Sequence, residues 1–379
     1  MITNKLGLCE YFFVVCFLHY FTKWQQHNKG YVALTSQLMT PLHVRDCCTS
    51  DLMYNGEPVT VEVNSFESEL VARKVNEIIK KHNQSKPLFA YVAFQAVHVP
   101  FVEAPEEYSK PYESMLGKVN EERYKLLTMI SALDRALENI VGSLKEAGMW
   151  EDTLFVFTSD NGGAARAASN WPLRGAKLGY YEGGIRGPTL VHHSSLSSYV
   201  SNKMMHITDW LPTIMSAIQC DENLHDIDGV DQWDAIKDES IKTPRNTMLI
   251  NLLPNSSKPK KSVMEEYKEE MKIFNIGTPA AVRKHDFKLL TVPTHGVWTA
   301  PRESTIVSPK PATDTKPLEL YNLANDPYEQ HEISEEHPEV VKELLEILAE
   351  HQKRNVKLKH HLDKAGCSEN CGPVLPWLD

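Results

Sequence analysis

Ser159-Asp160-Asn161-Gly162-Gly163 combines residue types that can do chemistry in a very short space. A carboxylate beside a side-chain amide offers two hard oxygen donors of the kind that Ca²⁺ or Mg²⁺ takes. The two glycines let the backbone turn sharply and approach a bound anion closely. The same residues also build plain turns, but the loop-like run from Ala164 to Asn170 argues against a hairpin. Further on, Arg174, Lys177 and Arg186 stand among glycines and aromatics. An arginine fork and a lysine point charge suit a tetrahedral oxyanion, although cations on a loop can equally be solvated surface residues. A third candidate is His98, in Gln95-Ala96-Val97-His98-Val99-Pro100, where a general acid could hand a proton to a leaving oxygen. A lone histidine after a strand also reads as structural. The pairs His192-His193 and His360-His361 read as surface residues.

Positioning such groups takes regular elements. Leu88 to Phe94 and Leu154 to Thr158 are apolar runs that read as strands buried on both faces, which suits a parallel sheet. Glu67 to Lys81 places Leu70, Val71, Val75, Ile78 and Ile79 on one helical face. Between the strands, Glu121 to Ala147 repeats leucine, isoleucine and valine at helical spacing and meets Gly148 as a cap. Strand, long helix, strand is the signature of a doubly wound α/β layer, with His98 and Asp160 both at carboxyl ends of strands, where ligands bind. A helix is predicted near Thr208, with Asp209 and Pro212 in its first turn. Residues 251–272 form a polar, lysine-rich excursion. After it, Phe287 to Val292, Leu318 to Tyr321 and the amphipathic stretch Glu339 to Gln352 predict a small α+β subdomain.

The chain has 379 residues, 42% of them hydrophobic and 24% charged, so it can bury a sizeable core. Forty basic against fifty acidic residues give −10, which disfavours a nucleic-acid partner. Seven scattered cysteines with no C-x-x-C fit neither a disulfide mini-scaffold nor a zinc cluster. Near the N-terminus the unbroken apolar run Tyr11 to Leu18 is shorter than the ~20 residues of a membrane-spanning helix. It could be the core of a signal peptide, but no small-x-small cleavage site comes after it. The reading adopted is a leader unrelated to the remainder.

Taken in order, several segments resemble the sulfatases, in the branch of arylsulfatase B and arylsulfatases I and J. They are Phe94-Gln95-Ala96-Val97-His98, Thr158-Ser159-Asp160-Asn161-Gly162-Gly163, Asn170-Trp171-Pro172-Leu173-Arg174-Gly175-x-Lys177 and Glu182-Gly183-Gly184-x-Arg186-Gly187. His206 to Thr213 and Leu320-Tyr321-Asn322-Leu323-x-x-Asp326-Pro327-x-Glu329 match further landmarks. The resemblance runs from about Asp46 to the C-terminus. It implies an alkaline-phosphatase-like fold, Ca²⁺ held in part by Asp160 and Asn161, and sulfate contacted by His98, which helps protonate the leaving alcohol. Lys177 would bind a sulfate oxygen and neutralise charge on the bridging oxygen. A lysosomal or secreted setting is implied too, with which the sequons at Asn83 and Asn255 agree. Cysteines such as Cys48 and Cys367 could then be partners in disulfides or free thiols.

Sulfatases use a formylglycine made from the cysteine of a C-x-P-S-R-like motif. None of the seven cysteines has an arginine four residues later, and the family's N-terminal Asp pair and Lys-x-His segment are not recognisable. The expected organisation is an unmatched leader over 1–45, the α/β region over 46–250 lacking its first strands, the excursion, and a C-terminal subdomain over 273–379. The leading expectation is a sulfuric ester hydrolase of the arylsulfatase B type, acting on sulfated sugars or aryl sulfates, whose own turnover is small for want of the nucleophile. The rivals are a non-catalytic protein that binds sulfated glycans or a sulfatase partner, and a phosphoryl-transfer relative on the same scaffold, against which the Trp-Pro-Leu-Arg-Gly-x-Lys match argues.

Overall fold

The computed structural model describes residues 66–220, 224–253, 261–301, 304–307 and 316–355, together with the backbone of four N-terminal strands. These strands are β1 (Phe12–Leu18), β2 (Leu34–Thr35), β3 (Met53–Tyr54) and β4 (Glu57–Pro58), the last three forming a small antiparallel sheet. By compactness the chain divides into two units. Of the described residues, one holds these strands, 66–159 and 189–194; the other holds 160–188 and 195–355.

In the first unit the helix α1 (Glu67–Lys81) leads into β5 (Leu88–Phe94). The short α2 (Glu106–Ser109) and long α3 (Glu121–Glu146) precede β6 (Thr153–Ser159). The Asn120 side chain caps α3 by accepting from the Arg123 amide, and Gly148 ends it at φ +71°. There the amide of Met149 donates to Leu144 and that of Gly148 to Lys145, so the last carbonyls are satisfied. Val71, Val75 and Ile79 of α1 and Met129, Leu133, Ala136 and Ile140 of α3 bury one side against Val92, Phe94 and Phe155 of the sheet.

The sheet order is β5-β1-β6-β7, where β7 (Thr189–His192) pairs antiparallel to β6. Strand β1 runs parallel to both neighbours, with Leu18 in register with Phe94 on one side and Ser159 on the other. This corrects the reading of residues 11–18 as part of an unrelated leader. A short apolar run rich in aromatic and β-branched residues is a strand as readily as a signal core, and only its partners decide.

The second unit begins with the loop 160–188, which contains α4 (Glu182–Ile185). It continues through α5 (Trp210–Ala217), α6 (Trp233–Lys237), β8 (Thr247–Leu252), α7 (Lys261–Glu266) and α8 (Glu270–Ile273). Strands β9 (Ala280–Lys284), β10 (Phe287–Thr291) and β11 (Leu318–Asn322) complete an antiparallel sheet of order β11-β10-β9-β8. Helix α9 (Pro338–Lys353) starts with proline in its first turn and buries Val341, Leu344, Leu345 and Leu348 against Val282, Leu289 and Leu320. Residues 251–252, assigned to the polar excursion by composition, belong to β8 instead. The compact units part after Ser159, and in the second unit Arg174 and Glu182 are bonded to Tyr321 of β11 and Lys288 of β10.

Candidate functional site

Strand β6 ends at Ser159 and delivers Asp160, exposed, and Asn161, half-buried, at its carboxyl end. The loop beyond Asn161 is held by its own backbone. The Gly162 amide donates to Gly184 O at 2.9 Å, and a Cβ at Gly162 would collide with the Gly183 carbonyl, so only glycine fits. Asn170 ties the loop: its Oδ1 accepts from the Gly163 amide at 2.8 Å, while its Nδ2 reaches Gly163 O and Gly175 O. The amide of Lys177 then donates to Gly163 O at 3.1 Å. Lys177, half-buried, is thereby bonded two residues away from Asn161. The structure brings Asp160, Asn161 and Lys177 into one loop assembly.

His98 belongs to the other unit. Its amide donates to Gln95 O at 2.8 Å in the turn after β5, and its ring Nδ1 lies 2.7 Å from Val99 O. Asn83 lies in an exposed turn, where its Oδ1 accepts from both the amide and the hydroxyl of Ser85. Asn255 lies outside the described residues, as do His360-His361, Cys48 and Cys367. His192 is no plain surface residue: its ring stacks on Trp150 at 4.5 Å.

Arg174 does not line the expected anion pocket. It is 4% exposed and lies in the interior of its unit. Its Nε donates to Gly296 O at 2.8 Å and one terminal nitrogen to the Tyr321 hydroxyl at 2.7 Å and to Glu329 O. The guanidinium lies 4.1 Å from the Tyr181 ring centre and 4.5 Å from that of Trp298. A cation so stacked and bonded is a structural anchor. Arg186 is exposed and donates to Asn202.

Beside the anchor lies a group of buried charges that sequence reading passed over. Lys288 of β10 donates to Glu182 Oε1 at 2.9 Å and Glu329 Oε1 at 2.8 Å, and Glu329 Oε2 accepts from the Glu182 amide at 2.7 Å. Burial pushes Glu329 up to about 7 against the pull of Lys288. Burial acts on Glu182 as well, but the Lys288 charge and hydrogen bond outweigh it and hold its carboxyl below the usual range. Tyr181 and Tyr321 both donate to Glu319 Oε2 at 2.7 Å, and burial plus that carboxylate raise both phenols. The signal was present in Glu182 and Glu329, which stand inside recognisable motifs, but Lys288 sits in an ordinary strand pattern.

Asp209 stands at the start of the expected helix, as the residue before α5, and is fully buried there, accepting from the amides of His206 and Val230 and from the Arg245 guanidinium. Burial raises its carboxyl, but Arg245 and the two amides hold it below the ordinary range.

A family model described as sulfatase matches residues 13–220, and one described as the C-terminal region of aryl-sulfatase matches 263–376. The chain belongs to the sulfatase family. This sulfatase is similar to arylsulfatase J of Mus musculus, 35% identical over 327 residues, covering 83% of this chain and 53% of that protein. It is 26% identical over 298 residues to an N-acetylgalactosamine-6-O-sulfatase of Bacteroides thetaiotaomicron, covering 74% of this chain and 50% of the other. The crystal structure of Ps i-CgsB shares the fold, with a TM-score of 0.66 at 20% identity over 93% of this chain and 73% of that one. The sulfatase thus has the alkaline-phosphatase-like α/β fold followed by the family's C-terminal region. It spans about half the length of the two curated relatives. The match begins at residue 13, inside the stretch 1–45 that the motifs left unassigned, in agreement with the place of β1 in the sheet.

For a divalent cation, the donors fit in kind. Asp160 brings a carboxylate, and Asn161 donates its Nδ2 to Gly162 O at 3.0 Å, an orientation that makes its amide oxygen the acceptor. These are two hard oxygens, where Ca²⁺ takes six to eight. Among the described residues no group of three His, Cys, Asp or Glu side chains gathers to hold an ion.

Proposed function

We propose that this sulfatase recognises sulfate esters, of carbohydrates or of aryl alcohols, and descends from sulfuric ester hydrolases of the arylsulfatase B type. The observation that supports the reading is the bond between the Lys177 amide and Gly163 O, which ties the backbone of Lys177 to the loop that follows Asp160 and Asn161. Lys177 binds a sulfate oxygen and balances charge at the bridging oxygen. For His98, beyond the carboxyl end of β5, the family resemblance implies the part of a general acid toward a leaving alcohol. Asp160 and Asn161 supply two ligands to Ca²⁺, which when bound offsets negative charge on the sulfate. The name of the Bacteroides thetaiotaomicron relative, a sulfatase of an amino sugar, supports sulfated carbohydrate as the substrate class. A lysosomal or secreted location agrees with such a substrate, and among the described residues no helix is long and apolar enough to cross a membrane.

Titration of the purified chain with a sulfated amino sugar and its desulfated counterpart, with and without Ca²⁺, tests this. Binding of the sulfated sugar alone, weakened by Lys177→Ala, is the expected result; equal affinity for both sugars would sink the proposal.

Hydrolysis is a separate question. No cysteine of the chain stands in a C-x-P-S-R setting, so the same samples should bind sulfate esters with little turnover of an aryl sulfate. Ca²⁺-dependent turnover at an ordinary enzyme rate would show that another group acts as nucleophile. The rival role, holding sulfated glycans without cleaving them, is favoured by binding without turnover.

A further inference from the structure

We propose that Lys288 is a positioning residue for the anion-binding loop, bridging Glu182 and Glu329 and thereby holding Lys177 and the Asp160–Asn161 pair in place. This rests on the role proposed for Lys177, but the arrangement itself is read from hydrogen bonds. Lys288 sits on β10, an inner strand of its sheet, and is wholly buried. An ammonium group there persists only because two carboxylates receive it. One of them, Glu182, opens α4, whose next residues carry the load onward: the Gly183 amide donates to Arg174 O at 2.6 Å and Gly184 O accepts from the Gly162 amide. Gly163 O in turn accepts from Lys177. The linkage therefore runs from the sheet, through one short helix, to both ends of the proposed site.

Such a bridge is a poor way to gain stability, since apolar residues of similar size fill a core at no desolvation cost. Its advantage is register, because the loop can dock in only one way that pairs every charge. It also responds to protons. The groups facing Glu329 are Lys288 from β10, Glu182 from α4, the Arg174 guanidinium at its main-chain carbonyl and the nearby Tyr181. With both carboxylates ionised, Glu182, Lys288 and Glu329 together carry one excess negative charge. Protonation of Glu329, whose carboxyl is pushed up to about 7 by burial, removes it. The loop is therefore held most firmly in mild acid and loosens as the pH rises from the usual glutamate range toward 7.

Amide hydrogen exchange tests this without any ligand. In the parent chain, protection at Gly162, Lys177, Gly183 and Gly184 should fall about ten-fold between pH 5 and pH 7, after correction for intrinsic exchange. Glu329→Gln should keep the pH 5 protection and flatten that dependence. Lys288→Met should speed exchange at the four amides while Val282 and Leu289 stay protected. Equal loosening of the whole unit by Lys288→Met, or an unchanged pH trend in Glu329→Gln, would overturn the proposal. If Lys288→Met fails to fold, Glu329→Gln decides alone. Failure of a sulfated sugar to bind the parent chain would remove the role of Lys177 and leave these exchange results standing.

Discussion

Arg174 donates a hydrogen bond to the Tyr321 hydroxyl at 2.7 Å across 147 positions of sequence, in a region closed to solvent. A residue that sequence places in a substrate loop is thus the pin between that loop and the C-terminal sheet. Removing it strands Glu319, 3.8 Å from the same guanidinium, as a buried charge without its cation. Arg174→Ala should cost about 3–5 kcal/mol. Arg174→Lys should recover only part, because an ammonium can neither fork to Gly296 and Tyr321 nor stack between Tyr181 and Trp298. Urea unfolding of the three proteins checks both statements.

The glycines of the loop make a second case. A Cβ at Gly183 would lie 2.6 Å from Arg174 O and 2.5 Å from Gly175 O, both main-chain atoms that cannot step aside cheaply. Gly183→Ala should destabilise the chain by about 1–3 kcal/mol through overpacking. By contrast, Gly142 has open space around it and lies within α3, so Gly142→Ala should stabilise by up to about 1 kcal/mol. Thermal melting distinguishes the pair by sign.

Acid should undo the Asp209–Arg245 pair. The carboxyl is held below its ordinary value, so the stability it contributes is present above that value and is lost as the pH falls through the lower, folded one. Asp209→Asn should flatten the acid limb of the stability profile below about pH 4 and, at neutral pH, cost about 1–3 kcal/mol by leaving the half-buried Arg245 without its anion. Denaturant titrations between about pH 2.5 and pH 7 supply the comparison.

Metal and anion functions should separate by mutation. Asp160→Ala should abolish the rise in melting temperature on adding Ca²⁺, a rise that obeys mass action for a ligand of the folded state. Lys177→Ala should leave that rise intact and weaken binding of a sulfated sugar about ten-fold or more, the loss of one charge-assisted hydrogen bond. A Ca²⁺ shift that survives Asp160→Ala would exclude that carboxylate as a ligand.

Asn83 offers a modification test. Its side-chain oxygen already accepts from the Ser85 hydroxyl at 2.8 Å in an exposed turn, so a glycan can project into solvent. When the chain is routed through the secretory pathway behind a cleaved signal, its mass should fall on treatment with an amidase that removes N-glycans. Peptide mapping should place a glycan at Asn83 and lose it in Ser85→Ala. An unmodified Asn83 in secreted protein would dismiss the site.

Periodicity made much of the scaffold legible. The bounds of α1 agree with the apolar spacing of Val71, Val75 and Ile79, and α9 starts at the proline that heads its amphipathic run. Strands β7, β8 and β9 escaped notice because their residues are partly polar or too short a run to show a period, and pairing partners define them. Asp160, Asn161 and Lys177 stood out as candidates because their types and spacing are chemical. Lys288 did not, since a lysine in a strand reads as solvent-facing until the carboxylates around it are known.

Local sequence therefore settled which residues have chemistry to offer and which segments are helices or long strands, because both depend on neighbours a few positions away. Tertiary structure alone decided that Phe12–Leu18 is an inner strand, that Arg174 is an anchor and not a ligand, and that Glu182, Lys288 and Glu329 share one buried site. The reason is physical: burial and charge pairing are set by groups far apart in the chain, and the free energy of an ionised side chain changes more with its surroundings than with its identity.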